Sequence, residues 1–149
     1  MYLVTDDIAV HGLGEKGTHP LPWNERDHGY IDSHGNVYDE YTMRDVKDFY
    51  MIYDVRFLSD LGEDNPDALY GATIENIEYM LHDYFWHKVV ICCGAGQSRS
   101  CGIAVGVLMK YSLMNYYDAV ELVRAKVPIC NIDNSHLIAL RRLFNVGPP

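Results

Sequence analysis

Cys93 and Arg99 stand five residues apart, with Gly94-Ala95-Gly96-Gln97-Ser98 between them and Ser100 after. A thiolate is a strong nucleophile, and a guanidinium is a planar fork of donors that can grip two oxygens of one phosphate. At the two ends of a short loop they can bind a phosphate group and attack its phosphorus. A free cysteine has a pKa of about 8.5 and is mostly protonated at neutral pH. Inward-facing loop N–H groups, a helix N-terminus and Arg99 would each favour the anion. Gly94 and Gly96 give the backbone the freedom to aim those amides. Ser100 can hydrogen-bond the Cys93 sulfur and help it leave a phospho-enzyme.

The flanking sequence supplies the elements such a loop needs. Val89-Val90-Ile91-Cys92 is a β-branched run that reads as a buried strand. Gly102-Ile103-Ala104-Val105-Gly106-Val107-Leu108-Met109 reads as an apolar helix. Strand, Gly-rich loop and helix start form an anion cradle. A bare Cys-x5-Arg spacing is more often a buried cysteine and a surface arginine. Here the strand before, the two glycines inside, the Ser-Arg-Ser end and the helix after favour a site made by Gly94, Ala95, Gly96, Gln97, Ser98 and Arg99.

The chain has 149 residues, 48% hydrophobic and 22% charged, so one domain spanning 1–149 with a full core is expected. Net charge is −9 and unevenly spread. Residues 1–100 carry 7 Lys/Arg against 18 Asp/Glu, and residues 101–149 carry 5 against 3. That balance disfavours nucleic acid or an anionic membrane as partner. No run reaches about 18 apolar residues. Met1-Tyr2-Leu3-Val4-Thr5-Asp6-Asp7 lacks the basic and apolar regions of a secretory leader, so a cytoplasmic location is expected. Cys92, Cys93, Cys101 and Cys130 form a poor disulfide framework and show no zinc spacing. His11, His19, His28 and His34 are scattered at no ligand spacing, so no metal and no cofactor are expected.

Read in order, residues 2–10 form a short strand broken at Asp6-Asp7. Residues 11–36 read as irregular loop, with a small hairpin over 30–38 turning at Gly35. Thr42-Met43-Arg44-Asp45 resembles a capping box opening a short helix through about Phe49. Residues 50–58 read as a strand and 59–67 as a carboxylate-rich loop. A helix over 67–85 follows, with Ile74, Ile77, Met80 and Leu81 (or Tyr84) on one face. After the strand at 88–92, helices are expected at 99–111, at 116–126 capped by Asn115, and from Asn134 or Asp133 through Phe144. The fold class is α/β: a central, mostly parallel sheet flanked by several helices, with the loop between a core strand and a helix N-terminus.

The run Cys93-Gly94-Ala95-Gly96-Gln97-Ser98-Arg99-Ser100 resembles the signature loop of the dual-specificity branch of the cysteine-dependent protein phosphatases, Cys-x-Ala-Gly-x-Ser-Arg-Ser. The resemblance extends through Leu108-Met109-Lys110, Ala119-Val120-Glu121-Leu122-Val123-Arg124 and Pro128-Ile129-Cys130-Asn131. Val4-Thr5-Asp6-Asp7-Ile8-Ala9-Val10 is similar to the family's opening strand. It is strong over about residues 60–145 and thin over 11–50. It implies metal-independent hydrolysis of phosphotyrosine, and often of phosphoserine or phosphothreonine, in protein substrates; separately, a monomer is expected.

The family supplies the leaving-group proton from an aspartate on the loop after the preceding strand. Alignment of the helix faces puts Asp60 there, with Asp64 and Asp67 as rivals. The family usually has histidine before the nucleophile, an aid to loop orientation and thiol ionisation, where this chain has Cys92. Cys92 is a buried strand-end side chain or, as the lesser alternative, a vicinal disulfide partner of Cys93. Cys101 and Cys130 are lesser candidates as resolving thiols. Relatives acting on inositol phosphates tend to place basic residues in the loop, and this loop has no lysine. A phosphopeptide-binding module with weak turnover is the alternative function. A sulfur-transfer or arsenate-reducing enzyme fits the order of elements less well. A nucleotide P-loop fails because no Gly-Lys-Ser/Thr follows the glycines.

Overall fold

In the computed structural model, which describes residues 1–12, 30–32, 37–38, 49–83 and 88–148, the β-branched run before the loop lies in the middle of a mixed sheet. The elements are β1 (Tyr2–Leu3), β2 (Ile8–Gly12), β3 (Tyr30–Asp32), β4 (Val37–Tyr38), β5 (Phe49–Asp54), α1 (Asp67–Asp83), β6 (Lys88–Cys93), α2 (Arg99–Lys110), α3 (Tyr116–Lys126) and α4 (Asn134–Leu143). Among the described residues the strand order is β1-β2-β6-β5-β3-β4. β2 and β5 flank β6 in parallel, so that Val10 and Tyr53 both lie opposite Ile91. The outer pairs, β1–β2, β3–β5 and β3–β4, are antiparallel. The expected α/β sheet is thus parallel at its centre and antiparallel towards both edges. A strand with parallel neighbours is covered on both faces, which is why β6 reads as an unbroken apolar run.

Side chains alternate along β6. Val89, Ile91 and Cys93 join the core shared with the helices, while Val90 and Cys92 join Ala9, Tyr50 and Ile52 on the other face. On the helical side, α2 is buried continuously from Ser100 to Leu108, the central helix its composition predicts. α1 turns Tyr70, Ile74, Ile77 and Leu81 into the core, and Met80 is only partly buried. α3 starts as expected: Asn115 Oδ1 accepts the Asp118 N–H at 2.9 Å. Of the two cap candidates for α4, the structure uses Asp133, whose Oδ1 accepts the Ser135 N–H at 2.9 Å.

Several boundaries differ from the sequence reading. The strand expected over 50–58 ends at Asp54. Its carboxylate takes the Arg56 N–H at 2.9 Å, and Val55 N–H makes the last bond to β6 at the Cys92 carbonyl. That local ring turns the chain before Leu58. The strand expected over 2–10 with a break at Asp6-Asp7 is two antiparallel strands, and the gap that holds Asp6 and Asp7 begins at Val4, where Val4 and Thr5 both donate to the Ile8 carbonyl. Phe49, expected near the end of a short helix, is the first residue of β5. The turn at Gly35, residues 39–48 and the expected helix end at 84–85 lie outside the described residues.

Candidate active site

Cys93 is the last residue of β6 and Arg99 the first of α2. Between them, Gly96 has φ +73°, a left-handed conformation that favours glycine. A Cβ there would lie 2.8 Å from the Gly12 nitrogen, and one on Gly12 would lie 2.8 Å from the Ala95 carbonyl carbon. The end of β2 and the loop therefore touch backbone to backbone. Ser98 holds the N-cap position of α2 without capping it; its Oγ instead accepts the Asp133 N–H at 2.9 Å. The first turn of α2 also has no acidic residue. The Gln97 carbonyl accepts the Asn131 N–H at 2.8 Å, which ties the loop to the segment before α4. Cys93 Sγ is buried, 3.1 Å from the buried Ser100 Oγ.

Arg99 reaches from α2 to the segment between β5 and α1. Its Nη1 donates to the carbonyls of Arg56 at 3.1 Å and Leu58 at 3.0 Å. Its Nε lies 2.8 Å from Asp60 Oδ1, with the arginine side chain 12% exposed and the aspartate side chain 76% exposed. With Nη1 held by carbonyls, Nε and Nη2 are the edge left to grip an oxyanion. The chain gives Arg56 O its place through a nearly buried ion pair. Arg56 Nε and Nη2 meet the Asp54 carboxylate at 2.8 to 3.0 Å. The rival aspartates are elsewhere. Asp67 is on the surface, paired in two bonds with Arg142, whose hydrogen bond lowers its carboxyl from the usual range. Asp64 is exposed in a single 3-10 turn over Gly62–Asp64.

Cys92 and Cys93 point to opposite faces of one strand, so a disulfide between them would require the end of β6 to be rebuilt. Burial, with Asp54 nearby, pushes the Cys92 thiol well up, so it stays protonated. Cys101 is buried in α2, 3.5 Å from the Gly96 carbonyl. The neighbouring, half-exposed Cys130 and burial raise the Cys101 thiol, while Cys101 beside it brings Cys130 down to about 7.

Sequence reasoning missed Asn65, Tyr70, Ser135 and His136, which brace the Asp60 segment. His136 carried the one available signal: a histidine on the apolar stripe of Leu137, Leu140 and Phe144. Among the described residues, no group of three or more His, Cys, Asp or Glu could hold a metal ion. Nor is any helix there long and apolar enough to cross a membrane.

Solved structures share this architecture. Human DUSP28 matches with TM-score 0.68 at 11% identity, over 97% of this chain and 96% of that one. The human tyrosine phosphatase-like serine/threonine/tyrosine-interacting protein matches with TM-score 0.52 at 24% identity, over 59% of this chain and 57% of that one. A leucine rich repeat and phosphatase domain containing protein from Entamoeba histolytica matches with TM-score 0.50 at 20% identity, over 59% of each chain. This chain spans less than two thirds of the length of the latter two. The fold is that of the dual-specificity phosphatases. No protein-family model and no curated protein sequence matches the chain.

Proposed function

We propose that this chain is a metal-independent, cysteine-dependent protein phosphatase, acting on phosphotyrosine and on phosphoserine or phosphothreonine as a cytoplasmic monomer with one catalytic domain. The observation that carries the reading is a convergence from three elements. Cys93 Sγ ends the central strand 3.1 Å from Ser100 Oγ, and Arg99 at the far end of the same loop meets Asp60 at 2.8 Å.

The reaction is two displacements at phosphorus. The Cys93 thiolate attacks, and the bond from phosphorus to the leaving oxygen breaks as Asp60 gives that oxygen its proton. Loop N–H groups of Gly94 through Ser98 and the Arg99 guanidinium hold the equatorial oxygens as their charge develops. Asp60, now a carboxylate, takes a proton from water as its oxygen attacks the cysteinyl phosphate. The S–P bond breaks, and Ser100 Oγ donates to the departing thiolate.

Hydrolysis of a small aryl phosphate, blocked by vanadate and absent in Cys93→Ser, is the expected result. Phosphopeptides bound but not turned over by the parent would favour the phosphopeptide-binding alternative. That alternative gains some support from the interacting protein among the fold's neighbours, which is named only phosphatase-like. A phosphopeptide panel against Cys93→Ser as a trap would report the substrate class.

A further inference from the structure

The segment that carries Asp60 is held on both sides of that residue, and both restraints lead to the start of α4. After Asp60, Ser135 Oγ accepts the Gly62 N–H at 2.6 Å. Before it, the Ser59 N–H donates to Asn65 Oδ1 at 2.9 Å, and the Ser59 carbonyl accepts Asn65 Nδ2 at 3.0 Å. Asn65 Nδ2 also donates to Tyr70 Oη at 3.2 Å, and Tyr70 Oη lies 2.6 Å from His136 Nδ1. Tyr70 and His136 are both 1% exposed.

Counting donors sets the direction of this chain. Asn65 uses one amide hydrogen on the Ser59 carbonyl and the other on Tyr70 Oη. Tyr70 therefore accepts there and gives its own proton to His136 Nδ1. His136 is then the neutral ring protonated at Nε2, an atom that is buried without a hydrogen-bond partner. Burial keeps the ring below the ordinary histidine range. Arg99 from α2 acts in the same direction; Asp133 at the α4 cap and Asp60, through its backbone and its charge, oppose it. A buried tyrosine–histidine bond carries a desolvation cost that two apolar rings of similar size would avoid. Its benefit lies in fixing one geometry.

We propose that Tyr70 and His136 are a positioning pair for the acid loop, fixing Asn65 and through it the backbone that presents Asp60. The proposal rests on the reading of Asp60 as the general acid. Neither residue touches the substrate. Both act by keeping the Asp60 carboxyl within reach of the leaving oxygen, and displacements of about 1 Å can cost about 100-fold in rate.

The test compares two aryl phosphates, one with a high-pKa and one with a low-pKa phenol, in the parent, Tyr70→Phe, His136→Phe and His136→Asn. The Phe variants should lose about 10-fold or more in kcat on the high-pKa phenol. They should lose no more than about twofold on the low-pKa phenol, which needs little protonation. KM and vanadate inhibition should stay at parent values. His136→Asn, which can again offer Tyr70 an acceptor, should recover most of the loss. The double Phe variant should be no worse than the worse single one, because the two residues act through one bond. Equal losses on both substrates, no loss, additive losses or no recovery in His136→Asn would overturn the pair. Tyr70→Phe removes a single oxygen and carries the test if His136→Phe does not fold. A parent inactive on both substrates overturns the phosphatase reading itself. An active parent disabled by Asp60→Ala, with Phe variants like the parent, overturns only the pair.

Discussion

Asp60 Oδ1 lies 2.8 Å from Arg99 Nε, yet Nε makes no hydrogen bond, so the contact is a charge pair rather than an aligned bond. The same guanidinium is anchored through Nη1 to two backbone carbonyls. Exposed ion pairs contribute about 0–1 kcal/mol, and Asp60 is mostly in solvent. A phosphate dianion can therefore displace Asp60 from the Nε edge while the carbonyls keep Arg99 in place. On the proposed mechanism the displaced carboxyl would stay beside the bound phosphate, where a proton donor to the leaving oxygen is needed.

Asp60→Ala should slow turnover of a poor leaving group by about 10²- to 10⁴-fold, with a much smaller effect on an activated one, and should remove the limb of the pH profile that needs the protonated acid. Asp64→Ala should stay near the parent. Steady-state kinetics on two aryl phosphates decide this. A parent-like Asp60→Ala with a dead Asp64→Ala would reverse the assignment.

Ser100→Ala should leave the first displacement working and slow the second. A hydrogen bond to a charged group is worth about 1.5–3 kcal/mol, so kcat should fall about 10- to 100-fold. Rapid mixing should show a burst of phenol followed by a slow steady state. A slow steady state with no burst would mean that Ser100 acts earlier than the release of Cys93.

Gly96→Ala forces a side chain into a left-handed position against the Gly12 nitrogen. Such strain costs about 1–3 kcal/mol. The urea midpoint should drop accordingly, and vanadate should bind more weakly because the loop amides are displaced. Parent-like stability together with parent-like vanadate affinity would contradict the loop conformation described.

His136 adds a pH dependence to stability. Its folded-state pKa is held below the ordinary value of about 6.5 by burial, so below that pH the unfolded chain binds a proton that the folded chain does not. Its contribution is complete above about pH 6.5 and is lost as pH falls towards the folded value. Urea midpoints measured from pH 8 to pH 5 should fall on the acid side in the parent and fall less in His136→Phe. The same acid-side slope in both proteins would assign the effect to other groups.

The loop was open to reading because it is contiguous. Strand, glycines, arginine and helix start follow one another within a few residues, and backbone preference acts over that range. The caps at Asn115 and Asp133 are equally local, each a side chain bonding an N–H two or three residues on. The end of β5 was misread although its cause is also local. Asp54 and Arg56 bond each other inside a run whose composition still looks like strand.

By itself, then, the sequence determined the α/β class, the helices that build the core and the strand, Gly-rich loop and helix start around Cys93 and Arg99, since these follow from periodicity, capping and glycine placement along the chain. It narrowed the proposed acid only to Asp60, Asp64 or Asp67, because three aspartates within eight residues share one local pattern. The tertiary structure separates the three in space: Asp60 meets Arg99, Asp67 meets Arg142 and Asp64 faces solvent. It also put Cys92 on the face away from Cys93 and joined Tyr70 to His136, 66 positions on. Such pairings depend on how packed elements bring distant residues together, and no local preference encodes them.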